Sequence, residues 1–454
     1  MASLKTKLLD EFSKWPEWQG LTELQKEFFR KFFQHKNIFL TGPAGTGKSY
    51  AVHLLFKFLD SKRIFYGKTA TTGVAALNIG GTTLHSWSGM GLADEHGMDL
   101  INKVNDNTKA VDRIKSCKVL VIDEISMAKA DLIEKLDIVC QVIRDDEKPF
   151  GGIQVVFVGD FMQLPPVFGK MEEERFAFNS EAWKSAKIRF IHLTEIVRQH
   201  EEPHFAKFLN EVRMGTAKDL SPLSECINRK FPKDGIQPVK LFCKNVDVNE
   251  FNGKELDKIK TASRTYGSVD EGPESWKQFF DKNCPAPTYL KLKKGAQVIL
   301  LINQDVEKGL VNGSVGVVEN LYDNCVEVRF EQGLFLIEGH NWEIKQNEFD
   351  HLTKMMKKVV LAKRRQLPLK LAWALTIHKA QGSTLDRAEI DIAEAFADGQ
   401  VYVALSRVRN LKSLSVKPFS FKKIMVNKKC IDFYNNQDKK MEEQLEFFDE
   451  EIAT

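Results

Sequence analysis

Eight consecutive residues carry the clearest chemistry in the sequence: Gly42-Pro43-Ala44-Gly45-Thr46-Gly47-Lys48-Ser49. Glycines at these positions let successive backbone N–H groups turn inward and cradle phosphate oxygens. Lys48 is then placed to reach the β- and γ-phosphates of a nucleoside triphosphate, and the Ser49 hydroxyl is placed to ligate Mg²⁺. The alternative is a chance match in a glycine-rich turn.

The segments on either side of this loop indicate which elements hold it. Asn37 through Thr41 has a short apolar strand pattern, and Tyr50 through Leu59 has a helical pattern. A helix that begins directly after the loop adds the partial positive charge of its N-terminus to the phosphate cradle. The sequence therefore predicts a strand–loop–helix unit that binds a nucleoside triphosphate.

Two carboxylates follow a second strand pattern. Val119 through Ile122 is continuously apolar, as expected for a strand buried on both faces of a parallel sheet, and it leads into Asp123 and Glu124. The C-terminal edge of such a strand lies beside the phosphate loop. We predict that Asp123 holds Mg²⁺, either directly or through a ligand of the ion, and that Glu124 is the general base for the attacking water. A solvated turn after a core strand is the alternative.

Three further polar side chains fit the same chemistry. Gln163 follows a third strand pattern over Gln154–Val158, and its amide suits the γ-phosphate or the water that attacks it. Arg198 and Arg407 each follow an apolar run. Both are candidates to stabilise charge on the γ-phosphoryl group in the transition state. Taken alone, either arginine is more typical of a surface or salt-bridge position.

Taken together, these segments resemble the Pif-type and RecD-like branch of superfamily 1 DNA helicases, the group that travels 5′ to 3′ on DNA. The resemblance covers most of the chain, from about Leu21 to about Val416, and the helicase motifs occur in the family's order. The matching segments are Leu21–Gln25 (Q motif), Gly42–Ser49 (I), Lys68–Ala76 (Ia), Gly80–Trp87, Asp123–Met127 (II), Gly159–Val167 (III), Leu193–Gln199 (IV), Leu371–Thr384 (V) and Gln400–Arg409 (VI).

The resemblance implies an ATP-dependent helicase that moves 5′ to 3′ on single-stranded DNA and unwinds forked or structured DNA in replication, repair or recombination. Its implied cofactors are ATP and Mg²⁺. The implied catalytic residues are Lys48, Asp123, Glu124, Gln163, Arg198 and Arg407. The implied nucleotide-binding residues are Gln25, which would contact the adenine, Gly42, Pro43, Ala44, Gly45, Thr46, Gly47, Lys48, Ser49, Gln381 and Gly382. Ser49 and Asp123 are the implied Mg²⁺ ligands.

In the family, the DNA strand crosses the tops of both lobes, and the residue types here suit such a path. The implied DNA contacts come from short side chains that donate hydrogen bonds, from side chains with a positively charged end and from one aromatic ring. They are Thr71, Thr72, Thr83, His85, Trp87, Thr376, His378 and Lys379. Phe161 and Trp373 are further stacking candidates, although each of these two rings and that of Trp87 fits a core position better. The basic stretches 354–358 and 363–365 fit either a DNA path or a solvated helix face.

The resemblance also implies the fold. We expect an α/β protein of two RecA-like P-loop lobes, parallel sheets flanked by helices, with ATP between them. Lobe 1A is expected over 1–192, and lobe 2A over 193–304 and 367–454. A small wedge insertion (1B) is expected at about 88–113, with a long surface loop as the alternative. A small SH3-like β-barrel insertion (2B) is expected over 305–366, with an ordinary β-meander as the alternative.

Composition and charge set the broad class. The chain has 454 residues, a net charge of +4 and a pI near 8.4, which permits a polyanionic partner without requiring one. Its seven cysteines occur singly, which fits a reducing compartment better than a zinc site or a disulfide framework. Neither a membrane span nor a signal peptide is predicted. We expect an intracellular monomer, in the nucleus, the cytoplasm or a virus- or phage-infected cell.

Two other functions remain as alternatives. One is a DNA-stimulated translocase that strips proteins or remodels structures but opens duplexes poorly. The other is a single-strand-binding or scaffold protein with a degenerate ATP site. The scaffold is disfavoured because every expected catalytic position holds the residue type that hydrolysis needs.

Overall fold

The computed structural model describes residues 2–91, 93–169, 172–198, 202–243, 248–305, 307–350, 353 and 355–437. Gln199 of the predicted motif IV, Lys354 of the predicted basic stretch and Leu92 of the predicted wedge lie outside the described residues.

The first part of the chain alternates helices with strands. Its helices are α1 (Ala2–Phe12), α2 (Pro16–Gln19), α3 (Glu23–Phe33), α4 (Lys48–Ser61), α5 (Gly73–Asn78), α6 (Leu84–Ser88), α7 (Gly97–Asn105), α8 (Thr108–Ser116), α9 (Ala130–Arg144) and α10 (Glu181–Ser185). Its strands are β1 (Ile38–Thr41), β2 (Tyr66–Ala70), β3 (Thr82–Thr83), β4 (Val119–Asp123), β5 (Gln154–Val158) and β6 (Arg189–His192).

The second part is richer in strands. Its helices are α11 (Pro203–Met214), α12 (Val248–Lys258), α13 (Glu274–Asn283), α14 (Ile377–Ala380) and α15 (Gln400–Leu405), and 428–437 is also helical. Its strands are β7 (Val239–Phe242), β8 (Ser263–Gly267), β9 (Val269–Glu271), β10 (Tyr289–Lys293), β11 (Gln297–Leu300), β12 (Val315–Leu321), β13 (Cys325–Phe330), β14 (Gly333–Glu338), β15 (His340–Asp350), β16 (Met355–Gln366), β17 (Leu369–Leu371), β18 (Ala374–Thr376), β19 (Ala388–Asp391) and β20 (Leu414–Val416).

Six parallel strands form the first sheet, in the order β3-β2-β4-β5-β1-β6. All residues of β1 and β5 are buried, as expected for strands covered on both faces by helices. Because the strands are parallel, their carboxyl ends lie at one edge of the sheet. That edge brings together the phosphate loop after β1, Asp123 at the end of β4 and Gln163 beyond β5.

A second parallel sheet has the order β18-β7-β19-β20. Its strands share a buried core with α11 and α15, which includes Val212, Leu241, Ile390 and Leu405. Two parallel sheets flanked by helices confirm the predicted α/β architecture with two lobes.

The chain between β7 and β18 forms antiparallel sheets. The largest has the order β14-β13-β12-β11-β17, and the long hairpin β15–β16 joins β9 in a separate sheet. Val298 of β11 lies opposite Leu371 of β17, and Ile299 lies opposite Val315. Strands outside the predicted insertion 305–366 therefore pair with strands inside it, and the antiparallel region is wider than that range. The domain boundaries and the SH3-like assignment stay predictions.

The segment predicted as a wedge or a long surface loop is largely helical. Leu100 and Val104 of α7 and Ala110 and Ile114 of α8 are buried in the core that α9 also enters. The long-loop alternative is wrong, because these four apolar side chains bury themselves at helical spacing. A strand-separating role for 88–113 stays a prediction.

Aromatic side chains fix the N-terminal helices on the first lobe. The Phe12 ring is fully buried, and its centroid lies 4.5 Å from that of Phe29 and 5.3 Å from that of Phe58 in α4. Trp15, Trp18 and Phe33 complete the cluster. Burial of these rings attaches α1 to α3 and α4, the helix that follows the phosphate loop.

We expect Phe12→Ala to lower the free energy of unfolding by about 3–5 kcal/mol, because it empties a ring-sized space in a closed cluster. Urea unfolding measures the loss. Phe396→Ala is the matched control, since that ring is 59% exposed and its removal should change stability by about 0.5 kcal/mol or less. Equal losses in the two variants would show that the aromatic cluster does not hold the N-terminal helices.

Candidate nucleotide-binding and catalytic site

The loop after β1 is closed so tightly that two of its positions require glycine. A Cβ on Gly42 would lie 2.3 Å from the Leu193 carbonyl oxygen, and one on Gly47 would lie 2.5 Å from the Gln25 amide nitrogen. Both residues have positive φ angles, of 144° and 83°. The Thr46 hydroxyl donates to the Pro43 carbonyl at 2.9 Å and closes the turn.

The Lys48 ammonium lies inside this loop. Its Nζ donates to the Gly42 carbonyl at 2.7 Å and to the Pro43 carbonyl at 3.0 Å. Burial lowers the pKa of Lys48 to about 8. Although the charges of Asp160, Glu124 and Asp123 offset part of this shift, the ammonium forms its hydrogen bonds to neutral carbonyls and its desolvation favours the arrival of an anion, which is the chemistry predicted for this loop.

Asp123 and Glu124 lie at the carboxyl end of β4, as predicted. Glu124 has a φ of 53°, a left-handed conformation that costs energy for a residue with a side chain. The Thr71 hydroxyl donates to its carbonyl at 2.7 Å, and its own N–H donates to Asp123 Oδ1 at 2.9 Å. Burial and the neighbouring Asp123 raise the pKa of Glu124 to about 7, and burial also raises the pKa of Asp123.

A side chain from the second lobe contacts the predicted base. The Gln381 amide donates to Glu124 Oε2 at 3.1 Å and to Gln163 Oε1 at 3.2 Å. Gln163 is buried and donates weakly to Asp160 Oδ2 at 3.5 Å. Three predicted residues from separate segments therefore form one hydrogen-bonded chain across the two lobes.

Arg407 is buried and bonds to neutral acceptors, the Val403 carbonyl, the Ser383 carbonyl and the Ser406 hydroxyl. Arg198 lies near it and donates to the Ser406 carbonyl at 3.1 Å. Burial and the charge of Arg198 lower the pKa of Arg407 to about 9. Within the described part of the chain, neither guanidinium forms an ion pair with a carboxylate, so both are suited to a polyanion.

Two buried partners of this site were not predicted from the sequence. The Tyr402 hydroxyl accepts the Ala44 N–H at 2.7 Å, and the Arg213 guanidinium donates to both oxygens of Asp160, with Nη2–Oδ1 at 2.9 Å. Although burial alone would raise it, Arg213 holds the pKa of Asp160 below its ordinary value. Asp160 lies directly after β5, within the predicted motif III, so the sequence did offer a signal for it. No motif in the sequence indicated Arg213.

Tyr434, from the helical segment 428–437, completes this buried network. Its hydroxyl donates to Asp160 Oδ1 at 3.1 Å and lies 2.6 Å from the Thr41 hydroxyl, and the Arg213 guanidinium lies over its ring. The end of the described chain is thereby attached to the strand that precedes the phosphate loop.

Gln25 forms hydrogen bonds within the protein that the prediction did not include. Its Oε1 accepts from the Thr22 N–H at 3.1 Å, and its Nε2 donates to the Thr46 carbonyl at 3.3 Å. The side chain is buried, so in this structure it supports the phosphate loop. Its adenine contact stays a prediction, as do the nucleotide contacts of Pro43, Ala44, Gly45, Thr46 and Gly382.

Most of the predicted DNA-contact residues follow strands of the two parallel sheets. Thr72, Thr83 and Thr376 cap α5, α6 and α14, where their hydroxyls accept backbone N–H groups. Burial lowers the pKa of His85 and His378, so both imidazoles are neutral at pH 7 and offer hydrogen bonds in place of charge. Whether these residues, Thr71 and Lys379 contact DNA stays a prediction.

Trp87 requires a correction. Its ring is 4% exposed, and a Cβ added to Gly67 in β2 would lie 2.8 Å from its indole nitrogen. The ring packs against the sheet and has no free face on which a base could stack. Phe161 and Trp373 are 2% and 6% exposed and also belong to the core.

Comparison with known proteins agrees with this geometry. A family profile described as PIF1-like helicase matches residues 20–221, and one described as the 2B domain of DNA helicase Pif1 matches 276–321. The crystal structure of Pif1 helicase from Candida albicans is 36% identical, with a TM-score of 0.71 over 92% of this chain and 99% of that one. The chain belongs to the PIF1-like helicase family.

Two further members of the family show the extent of the similarity. Bacteroides Pif1 in complex with ADP-AlF4 is 32% identical, with a TM-score of 0.81 over 92% of this chain and 97% of that one. The ATP-dependent DNA helicase PIF1 of Xenopus laevis is 38% identical over 89% of this chain and 62% of its own length. The chain thus spans about three-fifths of the length of the curated relatives it matches.

Within the described ranges, no helix combines the length and the apolar character that crossing a membrane requires.

The raised pKa of Glu124 makes stability depend on pH. In the folded protein the carboxyl keeps its proton up to about pH 7, whereas the ordinary value is 4.5. Between pH 4.5 and 7 the folded protein therefore binds a proton that the unfolded chain does not. The free energy of unfolding falls as the pH rises through that range. Glu124→Gln stays neutral, so we expect it to match the wild type below pH 4.5 and to exceed it above pH 7, by on the order of 1–3 kcal/mol.

Urea unfolding of nucleotide-free protein at pH 4.5 and pH 8 measures this difference. Glu147→Gln is the control, because Glu147 is an exposed glutamate outside the site. A stability difference between Glu124→Gln and the wild type that is the same at both pH values would contradict the assigned pKa.

Proposed function

We propose that this protein is an ATP-dependent DNA helicase that translocates 5′ to 3′ on single-stranded DNA and unwinds duplex or structured DNA. The observation that carries the proposal is the contact of Gln381, in the second lobe, with Glu124 and Gln163 in the first. ATP hydrolysis at such a junction can change how the two lobes meet. Membership of a family that includes ATP-dependent DNA helicases supports the same conclusion.

Glu124 is the general base of the proposed hydrolysis. Its carboxylate takes a proton from a water whose oxygen attacks the γ-phosphorus, while the bond from that phosphorus to the β,γ-bridging oxygen breaks and ADP leaves. Gln163 and Gln381 hold Glu124 and the water in line. The base must be deprotonated before it acts, and its pKa of about 7 suits operation near neutral pH.

Lys48, Arg198 and Arg407 supply positive charge around the transferred phosphoryl group. Lys48 leaves its loop carbonyls to bind the β- and γ-phosphates, and the two arginines approach from the second lobe. Their guanidinium groups are held by backbone and hydroxyl acceptors, so they are positioned before the substrate arrives. Such preorganised charge stabilises the transition state at little reorganisation cost.

The residues present also fit Mg²⁺. The Ser49 hydroxyl and the Asp123 carboxylate are hard oxygen donors of the type that Mg²⁺ prefers, and burial raises the pKa of Asp123 in the absence of a cation. When bound, Mg²⁺ would neutralise charge on the β- and γ-phosphates.

The DNA strand is proposed to follow the ends of the two parallel sheets. Thr72 follows β2 and Thr83 ends β3 in the first sheet, while Thr376 ends β18 in the second sheet and Lys379 follows it. Thr376 and Gln381 lie in one short segment around α14, so a strand held there is linked directly to Glu124. This short connection would couple DNA movement to hydrolysis.

The decisive experiment compares two partial duplexes, one with a 5′ single-stranded tail and one with a 3′ tail, in ATP and Mg²⁺. We expect unwinding from the 5′ tail only. Lys48→Ala should abolish unwinding and lower ATPase activity by at least about 100-fold while DNA binding persists, because the phosphates lose their principal cation. Lys57→Ala is the matched control, since Lys57 is an exposed lysine in the same helix.

Preference for the 3′ tail would overturn the proposed direction. DNA-stimulated ATPase activity without unwinding on either tail would favour the translocase. Retained unwinding in Lys48→Ala would overturn the site.

A further inference from the structure

A small cavity lies between β2 of the first lobe and the long β15–β16 hairpin. Its volume is about 50 Å³, several times the roughly 10–15 Å³ that one water molecule requires. Three lysines line it, Lys68, Lys345 and Lys358, together with the polar residues Thr82, Gln346 and Asn347. No carboxylate is among its lining residues, so the ionisable side chains that line the cavity, apart from the Tyr66 phenol, are lysines.

Contacts on both sides of the cavity hold its walls together. The Asn347 amide donates to the Tyr66 carbonyl at 3.0 Å, and the Lys358 ammonium donates to Asp60 Oδ2 at 2.6 Å. Lys109 of α8 pairs with Glu348 at 3.1 Å. The hairpin is therefore attached to the first lobe at several points, and the space beside Lys68 lies within this interface.

The three lysines differ in how their charges are compensated. Lys358 is paired with Asp60, and Lys345 is paired with Glu343 at 2.6 Å. Within the described residues, the Lys68 ammonium forms no hydrogen bond or ion pair, and the carboxylate of Asp60, which pairs with Lys358, acts on it only at longer range. It lies 4.4 Å from the centre of the Phe56 ring, which provides a cation–π contact. Burial, and then the charge of Lys358, lower the pKa of Lys68 to about 8.

We propose that this cavity is a second anion site, in which Lys68, Lys345 and Lys358 bind a phosphate group. A phosphate carries negative charge that can pair with the Lys68 ammonium, and it offers several oxygens to the lysines that line the cavity and to the Thr82 hydroxyl. The site is separate from the phosphate loop, because Lys68 lies within β2 and faces the hairpin. Its phosphate belongs either to a nucleic-acid backbone or to a free phosphate compound, and only the first source rests on the proposed function.

Lys68→Met is the informative variant, because it removes the unpaired charge and leaves both lysine–carboxylate pairs intact. Lys118→Met is the matched control, since Lys118 is an exposed lysine at the start of the neighbouring strand β4. Binding of labelled oligo-dT is measured by fluorescence anisotropy over a range of KCl concentrations, with ADP present to fill the site around Lys48. For a nucleic-acid phosphate, we expect Lys68→Met alone to reduce the slope of log K against log salt by about 0.7.

Thermal unfolding with inorganic phosphate, against chloride at matched ionic strength, tests the free source. If the oligo-dT slope is unchanged but phosphate raises the Tm of the wild type and of Lys118→Met more than that of Lys68→Met, the cavity takes a free phosphate compound. If Lys68→Met behaves like Lys118→Met in both measurements, the proposal is overturned. A wild type that fails to bind oligo-dT would contradict the proposed function, while the phosphate measurement would still decide this site.

Discussion

Charge that is wholly or partly buried, with few direct ion pairs, is the constraint on which the rest of this structure depends. Lys48 and Arg407 are cations held by carbonyl and hydroxyl oxygens, and Asp123 and Glu124 are carboxyls whose pKa values are raised by burial. Burying such groups costs free energy that an ordinary core residue does not require. The two parallel sheets, their helices and the aromatic cluster around Phe12 provide the framework that keeps these groups in place.

Contacts around these charged groups connect the two lobes. Gln381 reaches Glu124, the Tyr402 hydroxyl accepts the Ala44 N–H, and Arg213 forms a buried ion pair with Asp160. Each contact joins the second lobe to the loop after a strand of the first sheet. A displacement of one lobe against the other would therefore change contacts that surround the phosphate loop. Under the proposed function, these contacts would couple phosphate chemistry to movement along DNA.

The parts of the site that the sequence predicts are local ones. The phosphate loop, the Asp123–Glu124 pair and Gln163 are each encoded within one strand and the turn after it, so their spacing is sufficient. The fold class followed from the apolar strand runs and the family resemblance. Arg213 lies 53 residues from Asp160 and Tyr434 lies 274 residues away, and neither has a neighbouring motif that would indicate the pairing.

Burial and strand register explain where the structure differs from the sequence analysis. Trp87 is a stacking candidate in the sequence that also fits a core position, and its ring packs against Gly67 in the core. The helices over 97–116 place apolar side chains into the core of a segment that was predicted as a wedge insertion, with a long surface loop as the alternative, and this packing excludes the loop. The antiparallel region extends beyond the predicted insertion 305–366, because the pairing of Val298 with Leu371 depends on register across more than 70 residues of chain, and the domain boundaries stay predictions.

The central claim is that Arg407, from the second lobe, acts on the transferred phosphoryl group of a nucleotide bound to the first. Calorimetric affinities for ADP and for ADP with aluminium fluoride, in the wild type, Arg407→Gln and the exposed neighbour variant Arg409→Gln, test it directly. The account predicts that Arg407→Gln loses on the order of 100-fold or more in affinity for the fluoride complex and keeps its ADP affinity, because the arginine binds the transition-state charge. Equal affinities for the fluoride complex in all three proteins would contradict the account.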